Sequence, residues 1–263
     1  MKQVQIIMGT PVMIEINDEE AKEELFQEVF DYFKYVDQKF STYKEDSEIT
    51  KINKKIKKLA RNASHNDAGG EEMSSDMELV FKLSEETKNL TNGYFDIVTP
   101  EGNYDTSGLV KGWSIYNASK ILEKNGVKNF TVEAGGDIQV SGKNKDGEAW
   151  CIGIQNPFNK KREVVKKVYL DDNNGIATSG NYVRGAHIYN PKDKNDKLDD
   201  IVSLSVIGPN VFEADRYATA AYAMGKDGIF FIEELPGYEG YSIDKNGIAT
   251  MTTGFDKYTK KYA

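Results

Sequence analysis

The sequence is short of several residue types, and each shortage narrows what the chain can do. Cys151 is the only cysteine in 263 residues, so an internal disulfide cannot form and cysteine-rich zinc sites are excluded. Beside Trp150 in an apolar, strand-like run, that thiol is expected to be buried in the core. Histidine occurs only at His65 and His187, which leaves few candidates for a base working near neutral pH. No apolar run approaches the roughly 20 residues of a membrane-spanning helix. The stretch from Met1 to Pro11 carries one lysine and lacks the hydrophobic segment and cleavage site of a secretory signal. The expected location is therefore cytoplasmic, unless the chain is a trimmed part of an exported or multidomain parent. Acidic residues outnumber basic ones, and the formal net charge of −8 repels phosphate backbones, which argues against nucleic acid as a partner. The phosphate-cradling signatures GxGxxG and GxxxxGKS/T are both missing. An anionic ligand therefore has to be met locally, by a cation or by backbone amides.

What is present fits an ordinary globular protein, with 39% hydrophobic and 29% charged residues over a length that accommodates one large domain or two closely packed lobes. Gln3 to Ile16 reads as an apolar β-like segment, and Asp18 then caps a helical pattern using Leu25, Phe26, Val29, Phe33 and Val36. A second helix is predicted from Ser75 to Leu90, with Leu79, Val80, Leu83 and Leu90 on its apolar face and Asn92-Gly93 as its stop. A third pattern runs from Gly108 to Asn125-Gly126. Phe130 to Val140 reads as strand, turn and strand, followed by strand-like runs at 149–155, 164–170, 185–190, 202–207, 229–233 and 239–243. One helix, Val211 to Met224, interrupts them, and the irregular alternation argues for an α+β fold. Residues 51–71 read as a basic helix end followed by a polar loop that contains His65, taken as a surface residue.

Four local features have chemical potential, and the residues alone leave each of them open. Gly135-Gly136, between two apolar runs, permits positive φ and close ligand approach, or is a plain bend. Asp105 to Gly112 opens a helix whose start attracts an anion, with Lys111 as a point charge, or is a capping turn with a solvated lysine. Asp215 and Thr219, four apart on one helix face, suit a hard cation such as magnesium. They equally suit a first-turn acid and a hydroxyl bonded back to a carbonyl. His187 is a base or a core imidazole.

Taken in order, these pieces resemble the FAD:protein FMN transferase (ApbE) family. They are Met8-Gly9-Thr10; Phe40-Ser41-Thr42-Tyr43 with Ser47-Glu48-Ile49 and Asn53; Gly93-Tyr94-Phe95-Asp96; Asp105 to Gly112; Glu133 to Asp137; Ala177-Thr178-Ser179-Gly180; His187-Ile188; and Ala214-Asp215 to Ala218-Thr219. The resemblance covers nearly the whole chain as one domain and implies two related α+β lobes with FAD between them. By position it implies magnesium at Asp215, Thr219 and the Gly108 carbonyl, with Ala218 as a further candidate. It lays Met8, Tyr43, Tyr94, Phe95, Asp96, Asp105, Lys111, Ala134, Gly135, Gly136 and Ile188 along the flavin nucleotide, and it makes His187 the catalytic base. The implied reaction moves FMN from FAD to a Thr or Ser hydroxyl of an acceptor flavoprotein and releases AMP. The alternatives are a magnesium-dependent FAD pyrophosphatase and a non-catalytic FAD-binding protein. The chain departs from the family pattern between Asp96 and Asp105, where a longer aromatic segment is usual. It departs again at Tyr116 and Asn190, where Asp is usual.

Overall fold

The computed structural model describes residues 1–19, 22–61, 73–158, 163–171, 173–181, 188–193 and 195–260. Strands β1 (Lys2–Ile7) and β2 (Thr10–Ile16) form a hairpin closed by Met8 and Gly9, both at positive φ (55° and 68°). Two left-handed residues give the turn a twist that matches the strands it joins. The β-like segment Gln3 to Ile16 is thus two strands folded back on each other.

Helix α1 (Glu23–Phe40) buries Phe26, Val29, Phe30, Phe33, Val36 and Phe40, the three- and four-residue spacing of a core-facing stripe. Full burial of each such phenylalanine is worth roughly 1.5–3 kcal/mol. Asp18 does not cap it, because its carboxylate is taken by the amides of Lys128 and Asn129 at 2.7 and 2.9 Å. Helices α2 (Glu48–Arg61) and α3 (Ser75–Leu90) follow. The buried face of α3 is Met77, Val80, Ser84 and Thr87, while Leu79 and Leu90, expected on it, are exposed. Helix α4 (Ser107–Lys124) leads into β3 (Phe130–Ala134) and β4 (Asp137–Ser141).

The chain then builds β5 (Trp150–Gln155), β6 (Val164–Leu170), β7 (Gly175–Ser179), β8 (Ile201–Gly208), α5 (Val211–Ala223), α6 (Gly228–Glu233), β9 (Glu239–Asp244) and β10 (Ala249–Met251). Eight strands pair antiparallel in the order β1-β2-β3-β4-β7-β8-β9-β10, while β5 and β6 form a separate ribbon. Helices α1 and α4 cover one face of the sheet through Phe26, Phe30, Ile115 and Leu122 against Val12, Ile14 and Val132. Helix α5 extends that layer through Ala214, Ala218 and Ala221 against Ala177, Leu204 and Val206. The ribbon packs on the opposite face, where Trp150, Ile154, Val168 and Leu170 meet Ile138, Val140, Ile176, Ile207 and Tyr241. The fold is α+β, as expected.

Three further readings need correction. Residues 229–233 belong to helix α6, which buries Ile229 and Ile232 and leaves Phe230 exposed. Cys151 is exposed: on β5 it is the alternate residue to Trp150, whose side chain enters the core. In 185–190, residues 188–190 are not strand, and 185–187 lie outside the described residues, as do His65 and the loop expected after α2. No helix among the described residues is long and apolar enough to cross a membrane.

Candidate active site

A cleft of about 760 Å³ opens at the junction of α4, α5, the β3–β4 turn and the ribbon. That volume is in the range of small-molecule sites. Gly135 and Gly136, at φ 62° and 96°, make the β3–β4 turn. Their positive φ brings backbone rather than side chain to the cleft wall.

The start of α4 forms the floor. Asp105 accepts from the Ser107 amide at 2.9 Å, so Ser107, Gly108 and Lys111 point one helix terminus at the cleft. Such a terminus favours an anion. Helix α5 crosses behind it in close contact. A Cβ on Gly112 would lie 2.6 Å from Cβ of Asp215, and this proximity lets the Gly112 amide donate to Asp215 Oδ2 at 2.8 Å. One turn further along α5, the Thr219 hydroxyl donates to the Gly108 carbonyl at 3.3 Å and lies 3.4 Å from the Ser179 hydroxyl. Gly108 permits this approach, since a Cβ there would sit 3.2 Å from Thr219 Cγ2.

The carboxylates of the site are buried. Lys111 Nζ lies 2.6 Å from Asp137 Oδ2 and 3.5 Å from Asp215 Oδ1, and the two carboxylate side chains are only 1% and 2% exposed. Burial pushes the Asp215 carboxyl up to about 7, with Lys111 opposing and the Asp137 charge adding to the rise. Across the cleft, Asp96 pairs with Lys88 at 2.8 Å and Lys192 stands 4.5 Å over the Tyr94 ring. The Tyr189 hydroxyl donates to the carbonyls of Asp96 and Val98, and burial among the nearby carboxylates raises its pKa.

Among the described residues no group of three His, Cys, Asp or Glu side chains gathers around a metal position. The donors that do converge are the Asp215 carboxylate, the Thr219 hydroxyl and the Gly108 carbonyl, with Ser179 beside them. An all-oxygen set of this kind fits a hard cation that takes its remaining ligands from water and phosphate.

Of the residues singled out in the sequence, the cleft gathers Tyr94, Phe95, Asp96, Asp105, Gly108, Lys111, Gly135, Gly136, Ile188, Asp215 and Thr219. Four others fall elsewhere. Ala134 is fully buried on the helix-facing side of the sheet, and Met8 packs partly buried against the core in the β1–β2 turn. Tyr43 is 97% exposed between α1 and α2. The Ala218 side chain faces the sheet, and its carbonyl lies mid-helix in the α5 hydrogen-bond ladder. His187 lies outside the described residues, although its chain neighbour Ile188 lines the cleft.

Sequence reasoning missed two features. In the sequence Asp137 is only the end of a glycine motif, although an acid directly after a Gly pair is a usable signal. The wall from Ile152 to Phe158 carries no motif and reaches the site only through packing of the ribbon. Of the substituted positions, Asn190 is buried and donates to Asp196 Oδ2 at 2.9 Å, and Tyr116 packs on the core under Lys120.

The ApbE family model matches residues 8–101 and 98–242. The FAD:protein FMN transferase of Haemophilus influenzae is 30% identical over 172 residues, 61% of this chain and 50% of that protein. That of Vibrio cholerae is 34% identical over 136 residues, 49% of this chain and 40% of that protein. The chain thus spans about half the length of the curated relatives it matches. Two solved structures share the fold. The flavin transferase ApbE from Vibrio cholerae has a TM-score of 0.81 at 23% identity over 98% of both chains. The ApbE protein of Thermotoga maritima has a TM-score of 0.82 at 21% identity over 99% of both. On the match of the family model to most of its length, the chain belongs to the ApbE family.

Proposed function

We propose that the chain transfers FMN from FAD to a Thr or Ser hydroxyl of an acceptor flavoprotein, with magnesium as cofactor and AMP as the second product. The observation that carries this reading is the convergence of Asp215, Thr219 and the Gly108 carbonyl beside a helix start and a glycine turn in one cleft. A pyrophosphate laid there meets oxygen ligands for its counter-ion on one side and backbone amides on the other. Family membership and the names of the relatives support the same class of reaction.

In the proposed step the acceptor hydroxyl oxygen bonds to the FMN-side phosphorus, the bond from that phosphorus to the bridging oxygen breaks, and AMP leaves. Magnesium, when bound, neutralises charge on the pyrophosphate oxygens. Lys111 adds a point charge near the same oxygens. Tyr94, Phe95, Asp96, Asp105, Gly135, Gly136 and Ile188 orient the nucleotide, and His187 takes the hydroxyl proton. That role for His187 is supported by family membership.

The test is incubation with FAD, Mg²⁺ and a candidate acceptor domain, followed by mass spectrometry for an added FMN on Thr or Ser. Rapid FMN and AMP without acceptor would replace this reading with a pyrophosphatase. Intact FAD after long incubation would replace it with a carrier.

A further inference from the structure

Asp137 has no part in the reaction just described, yet it is the anchor of the buried charges. It stands at the first position of β4, fixed by the glycine turn before it. Its Oδ1 accepts from the Thr178 amide at 3.0 Å, and its Oδ2 faces Lys111. Asp215 has one oxygen, Oδ2, held by the Gly112 amide, so Oδ1 is the oxygen that Lys111 approaches.

We infer that Asp137 is a positioning residue that holds the Lys111 ammonium off Asp215 and so keeps the Asp215 carboxylate available to a divalent cation. This rests on the metal reading of Asp215, Thr219 and Gly108. The distances carry the inference: the ammonium is at contact with Asp137, 2.6 Å, and drawn back from Asp215, 3.5 Å. In a site this buried, opposite charges attract strongly, and an ammonium without a second carboxylate would close on Asp215. Lysine and Asp215 would then form a neutral pair covering the oxygen a cation needs.

The experiment is titration of the protein with Mn²⁺ alone, reading free Mn²⁺ by electron paramagnetic resonance. Asp137→Asn keeps an oxygen for the Thr178 amide and the same volume while removing the charge. Supporting partners of metal ligands typically carry 10–100-fold in affinity, so Asp137→Asn is expected to weaken Mn²⁺ binding about tenfold or more. In a Lys111→Met background, where no ammonium is left to restrain, the same replacement is expected to change binding less than about threefold, the signature of a coupled pair. An equal factor in both backgrounds overturns the inference, because Asp137 would then act only through its charge. Failure of the unmodified protein to bind Mn²⁺ would instead remove the metal reading itself, and this inference with it. Should Asp137→Asn not fold, Lys111→Met alone decides: binding at least as tight as in the unmodified protein is expected, and weaker binding overturns the inference.

Discussion

The amide of Gly112 donates to the carboxylate of Asp215 at 2.8 Å across the contact between α4 and α5. This bond sets the spacing of the two helices that carry most of the polar site. Gly108, Lys111 and Gly112 come from one, and Asp215 and Thr219 from the other.

Gly112→Ala tests that spacing. The added methyl would lie 2.6 Å from Asp215 Cβ and 3.0 Å from the Val211 carbonyl, backbone and near-backbone atoms that cannot swing aside. Overpacking of this kind typically costs about 1–3 kcal/mol. A lower urea midpoint at unchanged slope is expected, together with loss of FAD turnover from the displaced carboxylate. A variant with unchanged stability and turnover would show that the contact tolerates a methyl group.

Stability should also depend on pH through Asp215. The folded protein holds this carboxyl proton up to about 7, whereas the unfolded chain releases it near 3.8, so the folded state binds the extra proton between those values. Stability contributed by this group therefore falls as pH rises from about 3.8 to about 7 and levels off above it. Asp215→Asn, which does not titrate, should lose less stability between pH 5 and pH 8 when both proteins are unfolded by urea in the presence of a chelator. Parallel losses would mean that Asp215 titrates normally.

Much of the fold was legible, and the failures have physical causes. The span Ser75–Leu90 followed from its periodicity and its Asn-Gly stop, because local pattern and tertiary packing agree there. Residues 229–233 misled because a short apolar run has no readable period. Only packing shows that Ile229 and Ile232 are buried while Phe230 faces out. The Asp215–Thr219 spacing was visible, but the partners of this pair come from α4 and β7, more than a hundred and about forty residues away. Asp137 stayed without a role for the same reason, since Lys111 reaches it from another element.

His187→Ala separates binding from chemistry. A general base typically contributes 10²–10⁴-fold, so FMN transfer should fall by about that factor while FAD affinity, measured by flavin fluorescence, stays within a few-fold. Transfer at the unmodified rate would require another base, and the sequence has only one other histidine, His65.

Phe158 tests the wall that no motif announced. The chain between Asp96 and Asp105 is short and folds back on itself through the Val98–Tyr104 bridge, and none of residues 97–104 lines the cleft, so it provides little surface there. The tail of β5 provides more, with Asn156, Pro157 and Phe158 lining the opening. Phe158 is 55% exposed and belongs to none of the core clusters, so Phe158→Ala should leave the unfolding midpoint in place. An aromatic contact is worth about 0.5–1.5 kcal/mol beyond its buried area, which predicts roughly two- to tenfold weaker FAD binding. Phe158→Tyr should restore it, because the ring and not its hydrophobicity alone supplies the contact. Equal FAD affinity in the alanine and tyrosine variants, read from flavin fluorescence, would remove Phe158 from the binding wall.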